Sequence, residues 1–268
     1  MKARVQSYLA LLPLCLLLAA SPPAVAETVL HVAYEDKTQF PYYMGDTEKV
    51  LENPGAAVEL VKLVEERIPG LRIKFSRYPW KRCLAMLETG QVDGIFNASY
   101  NAARTRIGEY PRRDGQVDPT RRLTTISYHL YALPDTDLGW SGEAFKDSDL
   151  EIGAPLGYSI VNDLENLGVS VMKVRSSRQS LQLLTAGRVH AVALQSVTAD
   201  FLLSRNADQL PGIVRIEPPL KTKPYYLMLS REFKAANPEL AEQIWNAIGE
   251  LREEKLEALA QPYLSESG

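Results

Sequence analysis

Cysteine is nearly absent. The 268 residues hold two, and one of them, Cys15, falls within the first 26. If that stretch is removed, Cys83 stands alone and no intrachain disulfide is possible. A chain of this length can do without one, because it can bury a large core. Histidine is equally scarce: His31, His129 and His190 lie far apart and make no metal-ligand spacing. No Gly-x-Ser-x-Gly elbow, phosphate loop or catalytic-cysteine signature occurs. No apolar run after residue 26 is long enough to span a membrane. An excess of positive charge is missing too. Without Lys2 and Arg4 the 30 basic side chains fall to 28, against 33 acidic ones. That balance argues against a nucleic-acid or anionic-membrane partner.

The N-terminus reads as a targeting segment. Lys2 and Arg4 precede an apolar run from Tyr8 to Ala20, and Ala24-Val25-Ala26 supplies small residues for cleavage. This is the pattern of a secretory signal peptide cut before Glu27, leaving 242 residues. The run is shorter than the roughly 18–20 residues of a membrane span. Cys15 lacks the small residue expected just before a lipidated cysteine, so a lipoprotein is not expected.

One phrase occurs twice. Residues 87–96 read Leu-Glu-Thr-Gly90-Gln-Val92-Asp93-Gly94-Ile-Phe, and residues 184–193 read Leu-Thr-Ala-Gly187-Arg-Val189-His190-Ala191-Val-Ala. In each, a helical stretch ends on a glycine, which suits a left-handed cap, and an apolar run follows, which suits a buried strand. Two such units predict two similar α/β lobes with a cleft between them. The rest of the chain alternates in the same way. Strand patterns fall at Val29–Tyr34, Leu71–Phe75, Val92–Asn97, Thr124–Leu133, Ile152–Ala154, Val169–Val174, Val189–Leu194 and Tyr225–Ser230. Helical spacing falls at Ala56–Ile68, Arg82–Glu88, Ile160–Leu167, Ser177–Ala186 and Thr198–Ser204, then from Pro238 to about Arg252, with a last helix at Lys255–Ala260. Residues 112–120 and 134–149 read as loops. Six arginines fall between 104 and 122, and most of them suit a solvated loop.

An ordered set of short motifs carries a resemblance. Phe40-Pro41-Tyr42-Tyr43 follows the first strand, and Gly55-Ala-Ala-Val58-Glu59 opens the first helix. Trp80, Leu84 and Leu87 lead into Gly90-Gln-Val-Asp93-Gly. Ser99-Tyr100-Asn101-Ala-Ala-Arg104 and Tyr110-Pro111 come next, then Gly153-Ala-Pro-Leu-Gly157-Tyr158-Ser159. In this order and spacing they resemble solute-binding protein family 3, the bacterial periplasmic receptors best known for polar amino acids. The likeness covers nearly all of residues 29–263. It implies an α/β, two-lobed type II periplasmic binding fold that closes by hinge motion. Lobe 1 would be residues 27–127 with 224–268 returning to it, lobe 2 residues 128–223, and the hinge two strands near 127–130 and 224–227.

The chemistry of a cleft can be placed on the same residues. A ligand between lobes is held at the carboxyl ends of strands and at helix starts. Arg104 follows the strand at 92–97, where a guanidinium can grip a carboxylate with two parallel hydrogen bonds. The family keeps its carboxylate-binding arginine at this place, and Ser99 corresponds to a hydroxyl that touches the ligand. Ser159 opens a helix whose free N–H groups attract an anion, or it is an ordinary helix cap. Tyr42, Tyr43, Trp80, Tyr100 and Tyr158 are candidates for aromatic walls, and Arg82 is a weaker candidate.

Two departures bear on the ligand. Amino-acid binders of the family carry an Asp after the lobe 2 strand, paired with the ligand's α-ammonium; here the position is Gln195. A neutral amide cannot balance a buried ammonium. The Asp usual in the second phrase is His190, which also suits a surface turn. The function implied is a monomeric periplasmic receptor without metal or cofactor. It would bind a small polar, carboxylate-bearing solute, an amino acid or related organic acid, and hand it to an inner-membrane ABC permease. Two other classes share the fold. One is an enzyme of the cyclohexadienyl dehydratase type, which needs a cleft acid, and none is evident here. The other is a sensing module docked on a membrane sensor protein.

Overall fold

A computed structural model describes residues 27–147 and 149–265. The expected signal peptide, with Cys15, lies outside the described residues. Two βαβαβ units follow one another. The first is β1 (Thr28–Glu35), α1 (Ala56–Arg67), β2 (Leu71–Tyr78), α2 (Trp80–Glu88) and β3 (Gly94–Ser99). A small hairpin, β4 (Arg112–Arg113) and β5 (Gln116–Val117), and the long β6 (Thr124–Ala132) separate it from the second. That unit is β7 (Glu151–Pro155), α3 (Ser159–Asn166), β8 (Ser170–Val174), α4 (Ser177–Thr185) and β9 (Ala191–Gln195). The chain ends with α5 (Ser196–Arg205), β10 (Val214–Leu229), α6 (Arg231–Ala236) and α7 (Pro238–Ser265).

Eight strands form one curled sheet in the order β2-β1-β3-β10-β6-β9-β7-β8. Each unit is internally parallel, with its first strand in the middle. The antiparallel pair β6–β10 joins them, β10 bonding to β3 and β6 to β9. The strands expected to cross near 127–130 and 224–227 lie within β6 and β10. The repeated phrase is therefore the α2–β3 junction and its counterpart α4–β9. Gly90 and Gly187 take φ of +66° and +65°, the left-handed cap that only glycine reaches without strain. β3 and β9 are buried along their whole length, as apolar strands of covered parallel sheets should be.

The structure departs from the sequence reading in several elements, among them the unread helix α6. β10 runs for 16 residues, whereas only 225–230 reads as strand. Its first half holds Pro218 and Pro219 and is mostly exposed, so it lacks a strand's apolar pattern. Residues 112–117 form a hairpin whose turn, Asp114-Gly115, has positive φ at both positions. α7 is unbroken to Ser265, because Glu253-Glu254-Lys255 are good helix formers and nothing there stops it. Three cores result. One lies under α1 and α7 around Trp245, one under α4 and α5 around Tyr131, and one reaches from α2 to α3 across the junction of the halves.

Candidate ligand-binding site

The site begins at the end of β3. Asn97 takes φ of +55°, a left-handed turn tolerated by asparagine, and Thr124 on β6 donates to its Oδ1 at 2.9 Å. Four residues on, Asn101 caps a short 3₁₀ turn, Ala102–Arg106, by accepting the Ala103 N–H at 2.8 Å. That turn carries Arg104 back under the sheet, where it is only 8% exposed. Its Nη1 donates to the Ser99 carbonyl at 3.0 Å and to Ser99 Oγ at 3.3 Å. Its Nη2 crosses to the second unit and donates to the Gly157 carbonyl at 2.9 Å. The Trp80 indole donates to the same carbonyl at 3.2 Å, and the guanidinium lies 5.5 Å from the Trp80 ring.

Other bonds across the junction follow. Ser99 Oγ donates to Ser159 Oγ at 2.7 Å, where α3 begins. Lys223 on β10 donates to Ser159 Oγ at 3.0 Å and pairs with Asp163. Burial draws the Lys223 ammonium below its ordinary range, against the pull of Asp163. On the far side Gln39 donates to the Tyr158 hydroxyl, and Tyr158 donates in turn to Glu35 Oε2. Gln39 also donates to that oxygen, with the Tyr43 hydroxyl at 3.5 Å. Burial lifts the Glu35 carboxyl to about 7, against the hydrogen bonds from Tyr158 and Gln39 that favour its charge. The Tyr43 and Tyr158 phenols rise well above their usual range, chiefly through burial and then through the Glu35 charge.

Between these groups lies a small cavity of about 10 Å³, the size of a water molecule, so the halves must part to admit a ligand. Its walls include Tyr43, Trp80, Ser99, Arg104, Tyr158, Ser159 and Gln195. Seven of the eight ligand residues predicted from the sequence are thus brought together. Four further wall residues were missed: Gln39, Asn97, Tyr128 and Tyr225. Tyr225 donates to the Tyr128 hydroxyl at 2.8 Å, and Gln195 Nε2 donates to it at 3.3 Å. Three amide atoms on the walls, Gln39 Oε1, Asn97 Nδ2 and Gln195 Oε1, are buried without a protein partner among the described residues. A buried polar atom left so costs about 1–3 kcal/mol, a cost a polar ligand can offset.

The loop bearing Gln39 and Tyr43 is set by a residue the sequence did not single out. Arg77 on β2 is fully buried and donates to the carbonyls of Glu35, Met44, Gly45 and Lys49, while its guanidinium sits 5.0 Å over the Tyr34 ring. It meets carbonyl oxygens around this loop and so fixes the backbone from Glu35 to Lys49. Gly55 must be glycine for the same wall: φ is +110°, and a Cβ there would sit 2.4 Å from Tyr43 Cα.

Comparison with known proteins agrees with this architecture. The family profile of bacterial extracellular solute-binding proteins, family 3, matches residues 30–266. The chain belongs to this family. No curated protein sequence matches it. Among solved structures it is similar to an ancestral arginine-binding protein bound to arginine, at 18% identity and a TM-score of 0.68, covering 88% of this chain and 97% of that one. It is also similar to a histidine kinase sensor domain with similarity to periplasmic binding proteins, at 19% identity and a TM-score of 0.69, covering 89% and 96%. A third likeness is the GluR0 ligand-binding core from Nostoc punctiforme in complex with glutamate, at 14% identity and a TM-score of 0.67, covering 87% and 98%. At these identities the likenesses establish the two-lobed type II periplasmic binding fold.

Within this family 3 solute-binding protein several sequence candidates lie off the cavity. Tyr42 is half-buried and does not line the cavity; its N–H bonds the Gln39 carbonyl at 2.8 Å in a tight turn. It packs on the cores instead. Tyr100 is 42% exposed and rests edge-on against Tyr110. Arg82 lies over the Tyr78 ring at 4.4 Å. His190 has a structural task. Its Nδ1 accepts the Glu151 N–H at 2.9 Å, just as Asp93 Oδ2 accepts the His31 N–H at 2.7 Å in the first copy. Both side chains tie the strand they precede to the central strand of its unit. Glu59 accepts a bond from Tyr263 of α7 and is structural too.

Proposed function

We propose that this protein is a periplasmic receptor that captures a small polar, carboxylate-bearing solute in the Arg104 cavity and presents it to an inner-membrane ABC importer. The observation that carries the reading is Arg104, a buried guanidinium at the junction of the halves, held by Ser99 and aimed at backbone carbonyls. It has no carboxylate partner among the described ion pairs, so a ligand carboxylate is the group that completes it. The lobes of the reading are residues 27–127 with 224–268, and residues 128–223. Ligand capture would close them about β6 and β10. Ser99, Ser159, Trp80, Tyr43, Tyr158 and Gln195 line the ligand's path. The N-terminal 26 residues supply export. Among the described residues no helix is long and apolar enough to cross a membrane, which is consistent with an exported domain.

Arg104→Gln is expected to weaken binding of every carboxylate ligand by about 2–5 kcal/mol in calorimetric titration. Unchanged affinity would remove the arginine from the site. Deletion of the gene is expected to abolish uptake of the same solute, and unimpaired uptake would point to sensing. An enzyme of the dehydratase type has one feature in its favour, Glu35 with a carboxyl near neutrality. Glu35 sits behind Tyr43 and Tyr158 with Oε2 engaged by protein donors, which favours binding over general-acid chemistry.

A further inference from the structure

The cavity offers Arg104 as a cation and, facing it, only neutral groups. Gln39, Gln195 and Asn97 are 3%, 4% and 5% exposed; each lines the cavity and holds a buried amide atom with no partner among the described residues. Two of these atoms are carbonyl oxygens that need a donor, and one is an NH₂ that needs an acceptor. Lys223, the second cation near the cavity, is answered by Asp163. Arg104 is answered by carbonyl and hydroxyl oxygens alone. One anionic group on the ligand therefore balances the site.

A ligand ammonium would add a cation that the walls do not neutralise. Glu35 does not line the cavity, and its Oε2 takes the Tyr158, Gln39 and Tyr43 donors. A buried ammonium with amide oxygens as its only partners keeps much of its desolvation cost. A hydroxyl meets the same walls without that cost. It both donates and accepts, so one hydroxyl can serve Gln39 or Gln195 as donor and Asn97 as acceptor. The phenols of Tyr128 and Tyr225 add neutral partners of the same kind.

We infer that the ligand class of this cleft is a short hydroxycarboxylate, one carboxylate with neutral hydroxyl groups, rather than an α-amino acid. The inference rests on the reading of Arg104 as the carboxylate clamp. The test uses pairs that share a carbon skeleton and differ only in the group next to the carboxylate: lactate and alanine, glycerate and serine, malate and aspartate. Each is titrated calorimetrically into the purified protein. The hydroxy member of the binding pair is expected to bind at least about tenfold more tightly. An amino member that binds equally well or better overturns the inference and leaves the carboxylate reading standing. Gln195→Glu, nearly the same in shape, supplies the missing acid and is expected to shift the preference about tenfold toward the amino member. A preference untouched by that change overturns the part given to Gln195. If no member of any pair binds the wild-type protein, the carboxylate reading falls and the inference falls with it.

Discussion

At the scale of single residues, the site is a set of uncommon burials. Arg77 and Arg104 are arginines answered by carbonyls, and Glu35 is a carboxyl answered by phenols and an amide. Glu35 makes stability depend on pH in a defined direction. Its carboxyl sits near 7 when folded, against 4.5 as the ordinary value. Below about pH 4.5 both states hold the proton and nothing is lost. Between about 4.5 and 7 the unfolded chain releases its proton first, so stability falls as pH rises, and above 7 the loss is complete. Its size is about 3 kcal/mol. Glu35→Gln abolishes this titration and keeps an acceptor for Tyr158. Urea unfolding of the two proteins at about pH 4 and about pH 8 should show the variant gaining about 3 kcal/mol on the wild type over that span. A difference independent of pH would mean that Glu35 is solvated rather than buried. None of this was legible in the sequence, since a Glu at the end of a strand looks the same whether or not tyrosines from another unit cover it.

At the scale of elements, the repeat is the most legible feature. The glycine in each copy announces a cap, and the apolar run behind it announces a covered strand. Both caps follow, with nearly equal φ, and their costs can be compared. A Cβ at Gly187 meets nothing within 4 Å. At Gly90 it meets the carboxylate tip of Glu232, an exposed side chain able to swing aside. Gly187→Ala and Gly90→Ala are therefore both expected to cost about 1–2 kcal/mol, from the left-handed backbone alone. Denaturant melts check this, and a much larger cost at Gly90 would show that Glu232 is held in place. The second departure of the repeat, His190 for the Asp of the first copy, is resolved at this scale. An imidazole nitrogen accepts the N–H that a carboxylate accepts in the other unit, so that mismatch concerns strand pairing and not the ligand. The Gln195 mismatch does face the cavity.

At the scale of the whole molecule, the halves meet through more than the site. Phe40 stacks on Phe201 of α5 with centroids 4.1 Å apart and rings nearly parallel, and Thr198 donates to the Phe40 carbonyl at 3.3 Å. Such a stack contributes about 0.5–1.5 kcal/mol, enough to weigh on the hinge motion proposed above. Phe201→Ala is expected to enlarge the radius of gyration of the ligand-free protein in small-angle X-ray scattering, with the compact value restored by bound ligand. An unchanged radius would show that the stack has no part in closure.

The sequence by itself determined the periodicities, the caps and the two-unit plan; Arg104 and Ser159 were legible from their places beside a strand and a helix start, while Ser99 and Gln195 came from the resemblance to the family and Tyr43, Trp80 and Tyr158 as aromatic candidates. These are local properties, set by spacing of a few residues. Only the tertiary structure decided which groups share the cavity across long separations. It placed Gln39 against Tyr158, Asn97 and Gln195 on the walls of one cavity, and Tyr128 on Tyr225. It packed Tyr42 on the cores while Tyr43 lines the cavity, and placed Glu35 against Tyr158 and Gln39. Those choices depend on how β6 and β10 bring the two units face to face, and on the burial that follows, neither of which a run of neighbouring residues contains.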